Sequence, residues 1–176
     1  MRKLSKRHLY KISKREIDPE DLISKMRESV KEDENVIEKF EEYGVPLDDI
    51  DSVEICFWGR GKGEDDLGVS AKTKDKKIYL NSNMLSKEDP FEFAVPYVAH
   101  ELIHYLQQLT GKNLTKKKTD EYLDKPTEEE AFQVQVQFKK DHEGEEDAEE
   151  YVDKLLDYHD LTGKKRTTKR RKLLDG

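Results

Sequence analysis

Apolar residues recur every three or four positions over most of this chain and alternate over one short part of it. Mostly helical structure around a small sheet is therefore expected. Asp18-Pro19-Glu20 opens a helix whose stripe is Leu22, Ile23, Met26, Val30, Ile37 and Phe40, and Gly44 follows Tyr43 as its stop. The polar stretch Lys31–Asn35 leaves room for a bend or a break, and Val45-Pro46 leads into a loop. Ser52–Trp58 is β-branched and aromatic and reads as a strand. Leu67–Thr73 and Lys77–Asn81 read as two more, joined at Asp75-Lys76 into an antiparallel hairpin. Asp89-Pro90 then starts a helix with Val95, Val98, Leu102, Leu106 and Leu109 on one face and Gly111 as its stop. Pro96 lies inside it, so either Phe91–Val95 is a separate turn or the helix restarts at Pro96.

Thr127 is the expected cap of the next helix, with Glu128, Glu129 and Glu130 in its first turn and Ala131, Phe132, Val134, Val136 and Phe138 inward. The Val/Gln alternation would also suit a strand, but the Pro-Thr-Glu-Glu-Glu start and the Lys139-Lys140 end favour a helix. Glu145–Leu161 reads as a further amphipathic helix ended by Gly163. The fold class expected is α+β: a small antiparallel sheet of about three strands, the helix after Asp89, and three or so others. A single domain over 18–162 is expected, between a basic arm at 1–17 and a basic, mobile tail at 163–176.

Composition narrows the function classes. Of 176 residues, 41% are charged and 34% hydrophobic, and the net charge is −7. A modest core under a heavily charged surface follows, and nucleic-acid binding by the chain as a whole is disfavoured. Cys56 is the only cysteine, which excludes a disulfide framework and a cysteine-rich zinc site and points to a reducing, cytoplasmic location. No apolar run approaches the length of a membrane span, and no signal peptide is expected. The Gly59–Gly63 stretch lacks the spacing of a phosphate-binding loop and reads as a turn.

The chemistry concentrates in His100-Glu101-Leu102-Ile103-His104, an H-E-x-x-H motif within the helix after Asp89. Residues four apart on a helix share a face, so both imidazoles can offer a nitrogen to one zinc ion. Glu101, next to the first histidine, can reach a water beside the metal and act as general base. A catalytic zinc usually has a third protein ligand. The extension H-E-x-x-H-x-x-G-x-x-H fails, because Gln107 and Thr110 stand at its last two fixed positions. The Glu128–Glu130 cluster is the other source. At 100° per residue Glu128 lies closest to the inward face of its helix, with Glu130 as the alternative and Glu129 pointing nearly away.

These residues resemble a small gluzincin metallopeptidase: the H-E-x-x-H helix, followed by Glu128-Glu129-Glu130-Ala131, similar to the E-x-x-A element of several gluzincin families. The resemblance covers about 55–138. It implies a zincin-like fold, Zn2+ as cofactor held by His100, His104 and Glu128, and peptide-bond hydrolysis with Glu101 as base. It also implies a peptide or protein substrate bound in extended form along Lys77–Ser82. Phe132 stands where such families often carry Asp or Asn, so the resemblance supplies no acidic partner for a zinc histidine. Tyr122, Tyr151, His142 and His159 are all candidates to stabilise an oxyanion. Two readings compete with the peptidase. One is a non-catalytic protein of the same fold serving in an assembly; the other is a nucleic-acid-associated protein using its basic ends.

Overall fold

The computed structural model describes residues 17–58, 70–112 and 122–176. The basic arm at 1–16, the Gly59–Gly63 turn, the first residues of the second expected strand and most of the lysine-rich connection after Gly111 lie outside them. Among the described residues are seven helices and a three-stranded sheet, an α+β fold. Their order is α1 (Pro19–Glu32), α2 (Glu34–Tyr43), α3 (Asp49–Ser52), β1 (Glu54–Trp58), β2 (Ala71–Lys74), β3 (Lys77–Asn81), α4 (Pro90–Thr110), α5 (Pro126–His142), α6 (Glu145–Tyr158) and α7 (Gly163–Leu174). Short 3-10 turns at Ser82–Ser86 and Tyr122–Asp124 precede α4 and α5.

The expected bend after Lys31 is a break, and Asp33 makes it. Its backbone is extended, its side chain accepts from the Val36 amide to cap α2, and the residue is buried beside His142 Nε2 at 3.1 Å. A carboxylate there satisfies orphan amides at the start of α2.

The sheet order is β1-β3-β2. The β2–β3 hairpin is antiparallel as expected, turning through Asp75 and Lys76, both at positive φ. β1, however, runs parallel to β3, so the sheet is mixed rather than wholly antiparallel. Glu54 opposes Lys77 at the end of that pair, with 2.5 Å between their charged atoms, which favours this register. The topology also overturns the substrate position expected at Lys77–Ser82. β3 is the central strand, paired on both sides, and Ser82 has already entered the 3-10 turn. No edge is left there for another strand.

α4 is one continuous helix of 21 residues that passes through Pro96. Asp89 caps it by accepting from the Phe91 and Glu92 amides, and Gly111 ends it at φ 72°. Two clusters of side chains hold the helices. The larger joins α1, α2 and the sheet to α4 through residues such as Met26, Phe40, Ile78, Leu80, Leu102 and Leu106. The smaller comprises Leu123, Phe132, Val136, Ala148, Val152, Leu156 and Leu173, under α5, α6 and α7. Helix α5 separates the two, and the H-E-x-x-H motif lies where α4 meets it.

Three local expectations are corrected. Thr127 does not cap α5: the helix starts at Pro126 with Lys125 as N-cap and no capping side chain. Gly163 does not end α6, which stops at Tyr158, but begins another helix at φ 58°. The stretch expected as a mobile basic tail is that helix, α7. It buries Leu173 in the smaller cluster, and acidic residues pair with several of its cations. Arg166 pairs with Asp153 and Asp157, and Arg170 with Glu149 and Asp153, all on α6. Positions 149, 153 and 157 are one turn apart, as are 166 and 170, so the two ladders face each other.

Candidate metal centre

Helix α4 places His100 and His104 one turn apart on the side facing the first turn of α5. Ala131, fully buried, lets the two helices approach closely. His100 Nε2, His104 Nε2 and Glu128 Oε2 converge there: 3.1 Å between the imidazole nitrogens, and 3.8 and 3.3 Å from each to the carboxylate oxygen. Three ligands of a tetrahedral zinc at 2.0–2.1 Å would sit about 3.3 Å apart, so the spacing and the N, N, O donor set fit that ion. Glu128 Oε2 is buried and has no hydrogen bond of normal geometry. Three lone pairs converging in a largely buried site repel one another unless a cation lies between them.

A proton is the smallest such cation, and the metal-free protonation equilibria reflect it. His100 is pushed down to about 3, chiefly by burial and then by His104 beside it. Burial also opposes a charge on His104, but Glu128, Glu101 and Gln107 outweigh it and raise His104 to about 9. Burial would raise Glu128, yet the histidines, His104 above all, hold its carboxyl below the ordinary value. An anionic Glu128 facing a cationic His104 is thus the metal-free state of the centre.

Glu101 lies outside this triangle of donors. It is buried, and the Thr73 hydroxyl on β2 lies 2.7 Å from its Oε2 and 2.9 Å from its backbone oxygen. Burial raises its pKa to about 7, against the lowering effects of His104 and Thr73. A carboxylate so tuned can accept and release a proton near neutrality. It also ties the motif to β2, the edge strand on this side of the sheet.

The three consecutive glutamates part company. Glu128 joins the histidines. Glu129 pairs with Lys169 at 3.0 Å and Lys172 at 2.6 Å on α7. Glu130, the alternative ligand from the sequence, accepts from the Tyr43 hydroxyl at 2.6 Å, pairs with Lys39 at 3.2 Å and accepts from Gln107 Nε2 at 3.0 Å. It is not one of the converging ligand atoms.

Of the four oxyanion candidates, Tyr122 is the one brought to the centre. Its hydroxyl interacts with Glu128, and burial together with that carboxylate drives its pKa up. Its ring stacks on His159, with centroids 5.4 Å apart, so His159 supports Tyr122 from behind. Tyr151 lies by Lys139 and Tyr97, in a groove between α4 and α6. His142 pairs with Asp33 and stacks on Phe138, about 20 Å along α5 from Glu128.

Phe132 meets the His100 ring edge-on at 4.6 Å and helps to dehydrate it. Two glutamines escaped the sequence reading. Gln107 Oε1 lies 2.9 Å from His104 Nδ1. Gln135 is buried beside His100 and bears on its protonation, although neither its amide atoms nor His100 Nδ1 makes a hydrogen bond of normal geometry. Helical spacing carried the signal: Gln107 is three residues after His104, and Gln135 two turns after Glu128, each on the face of its ligand. No protein-family model, curated protein or solved structure matches this chain.

Proposed function

We propose that this chain is a zinc-dependent peptidase of the gluzincin type, acting on peptide or protein substrates. The convergence of His100, His104 and Glu128 on one point, with the buried Glu101 carboxylate held beside it by Thr73, carries this reading. His100, His104 and Glu128 would hold the ion. Bound zinc would polarise the scissile carbonyl and acidify the attacking water. Glu101 takes a proton from that water and delivers it to the leaving amine. Thr73 holds the base in place, and Tyr122 is the donor nearest the site for the developing oxyanion. An extended substrate would lie along the β2 side of the sheet, since β2 is the edge strand next to Glu101. The lone Cys56 suits a reducing compartment such as the cytoplasm. Among the described residues no helix is long and apolar enough to cross a membrane.

The test is Glu101→Gln, measured for zinc content and for cleavage of an unfolded protein. Removing the base should slow cleavage by about 100-fold or more while zinc is retained. Equal cleavage by wild type and variant, or none by zinc-loaded wild type, would end the peptidase reading.

A further inference from the structure

We propose that Gln107 and Glu130 are positioning residues that fix which ring nitrogen His104 presents to the metal. This rests on the metal-centre reading above and adds to it how the centre is held in register.

The argument is one of donors and acceptors. Gln107 is 1% exposed, so water cannot satisfy its amide. Its Nε2 lies 3.1 Å from the Thr127 carbonyl oxygen and 3.0 Å from Glu130 Oε2. A backbone carbonyl can only accept, and so can a carboxylate paired with Lys39 and already accepting from the Tyr43 hydroxyl. Both hydrogens of the Gln107 amide are therefore committed, and the amide cannot be flipped. Its oxygen must then face His104 Nδ1, 2.9 Å away. An amide oxygen only accepts, so Nδ1 carries a hydrogen. The lone pair of neutral His104 is left on Nε2, the atom that faces Glu128 Oε2 and His100 Nε2.

The choice of tautomer is thus made away from the centre, by the first turn of α5 and by α2. One rigid turn supplies the ligand Glu128, the Thr127 carbonyl and the relay carboxylate Glu130, so any shift of α5 moves ligand and relay together. A neutral amide between imidazole and carboxylate orients the ring without placing a second anion directly against it.

The experiment uses the full-length chain and zinc. Imidazole NMR of the wild type should show a slowly exchanging His104 Nδ1–H, with and without zinc; a doubly protonated or zinc-bound ring carries that hydrogen in any case, so its slow exchange, not its presence, reports the Gln107 acceptor. Gln107→Met keeps the length of the side chain and removes the acceptor. That hydrogen should then exchange too fast to observe, and the zinc Kd, measured against a chelator, should rise about 10- to 100-fold. Glu130→Ala leaves the Thr127 carbonyl to hold the amide, so a smaller rise is expected; this variant carries the test if Gln107→Met does not fold. A wild type without the protected Nδ1–H, or variants that bind zinc as tightly as wild type, would overturn the positioning role. A wild type that takes up no zinc would overturn the metal reading, and is told apart because the Nδ1–H signal is read without metal.

Discussion

Zinc and a proton compete for the same point between His104 and Glu128, so zinc affinity should depend on pH in a specific way. In the metal-free centre His104 keeps its proton up to about pH 9. His100, at about 3, has none to lose near neutrality, and Glu128 is ionised. Between pH 7 and 9 the ion must therefore displace one proton, from His104. The sign follows: a raised pKa means protonation below it, so affinity rises with pH and flattens above about 9. The slope is tenfold per pH unit, worth about 1.4 kcal/mol, so affinity at pH 7 should be about 100-fold weaker than at pH 9. Below pH 7 Glu101 is protonated too, and a neighbouring cation would expel that proton, so the slope should steepen. Glu128→Gln removes a main source of the His104 shift, and its slope between pH 7 and 9 should nearly vanish. Chelator competition at half-unit intervals gives the slope, and calorimetry in two buffers of different ionisation heat counts the proton. A flat profile in the wild type, or the same slope in Glu128→Gln, would refute the reasoning.

Three further outcomes are expected. Thr73→Val removes a hydroxyl that lowers the Glu101 pKa, so the acid limb of the pH–rate profile should lie at higher pH than in the wild type, with activity lost on the acid side and regained as pH rises; an unmoved limb would mean that Glu101 is not the base. Leu173→Ala, at a residue 1% exposed on α7, should cost about 2 kcal/mol or more in urea unfolding, whereas a change on a mobile tail would cost under about 0.5 kcal/mol. Lys169→Met should cost about 1–3 kcal/mol, because the buried ammonium holds the Leu123 carbonyl, Asp124 and Glu129 together; an unchanged midpoint would show that α7 does not brace the turn that carries Tyr122.

The parts of this protein that are legible in its sequence are those that local periodicity controls. β3 ends where alternation and turn residues put it, α4 starts at Asp89 and stops at Gly111, and α5 turns Glu128 toward the histidines as its apolar positions require. What depended on partners distant in sequence was harder to read. Strand direction leaves no trace in the alternation, so the parallel pairing of β1 with β3 was hidden, and with it the loss of the Lys77–Ser82 edge. α7 looked like a tail because its many cations outnumber its apolar residues, and only the matching four-residue ladder on α6 reveals their purpose. Glu129 and Glu130 were indistinguishable in kind from Glu128. Their separate partners on α7, and on α2 and α4, come from packing rather than spacing.

X-ray absorption at the zinc edge tests the central claim most directly. The account predicts one tightly held zinc per chain, nitrogen and oxygen neighbours at about 2.0–2.1 Å, and outer-shell scattering from two imidazoles. Replacing Glu128 with Ala should remove one oxygen neighbour and weaken retention, and His104→Ala should remove one imidazole. Zinc uptake and a coordination shell unchanged by either substitution would contradict it.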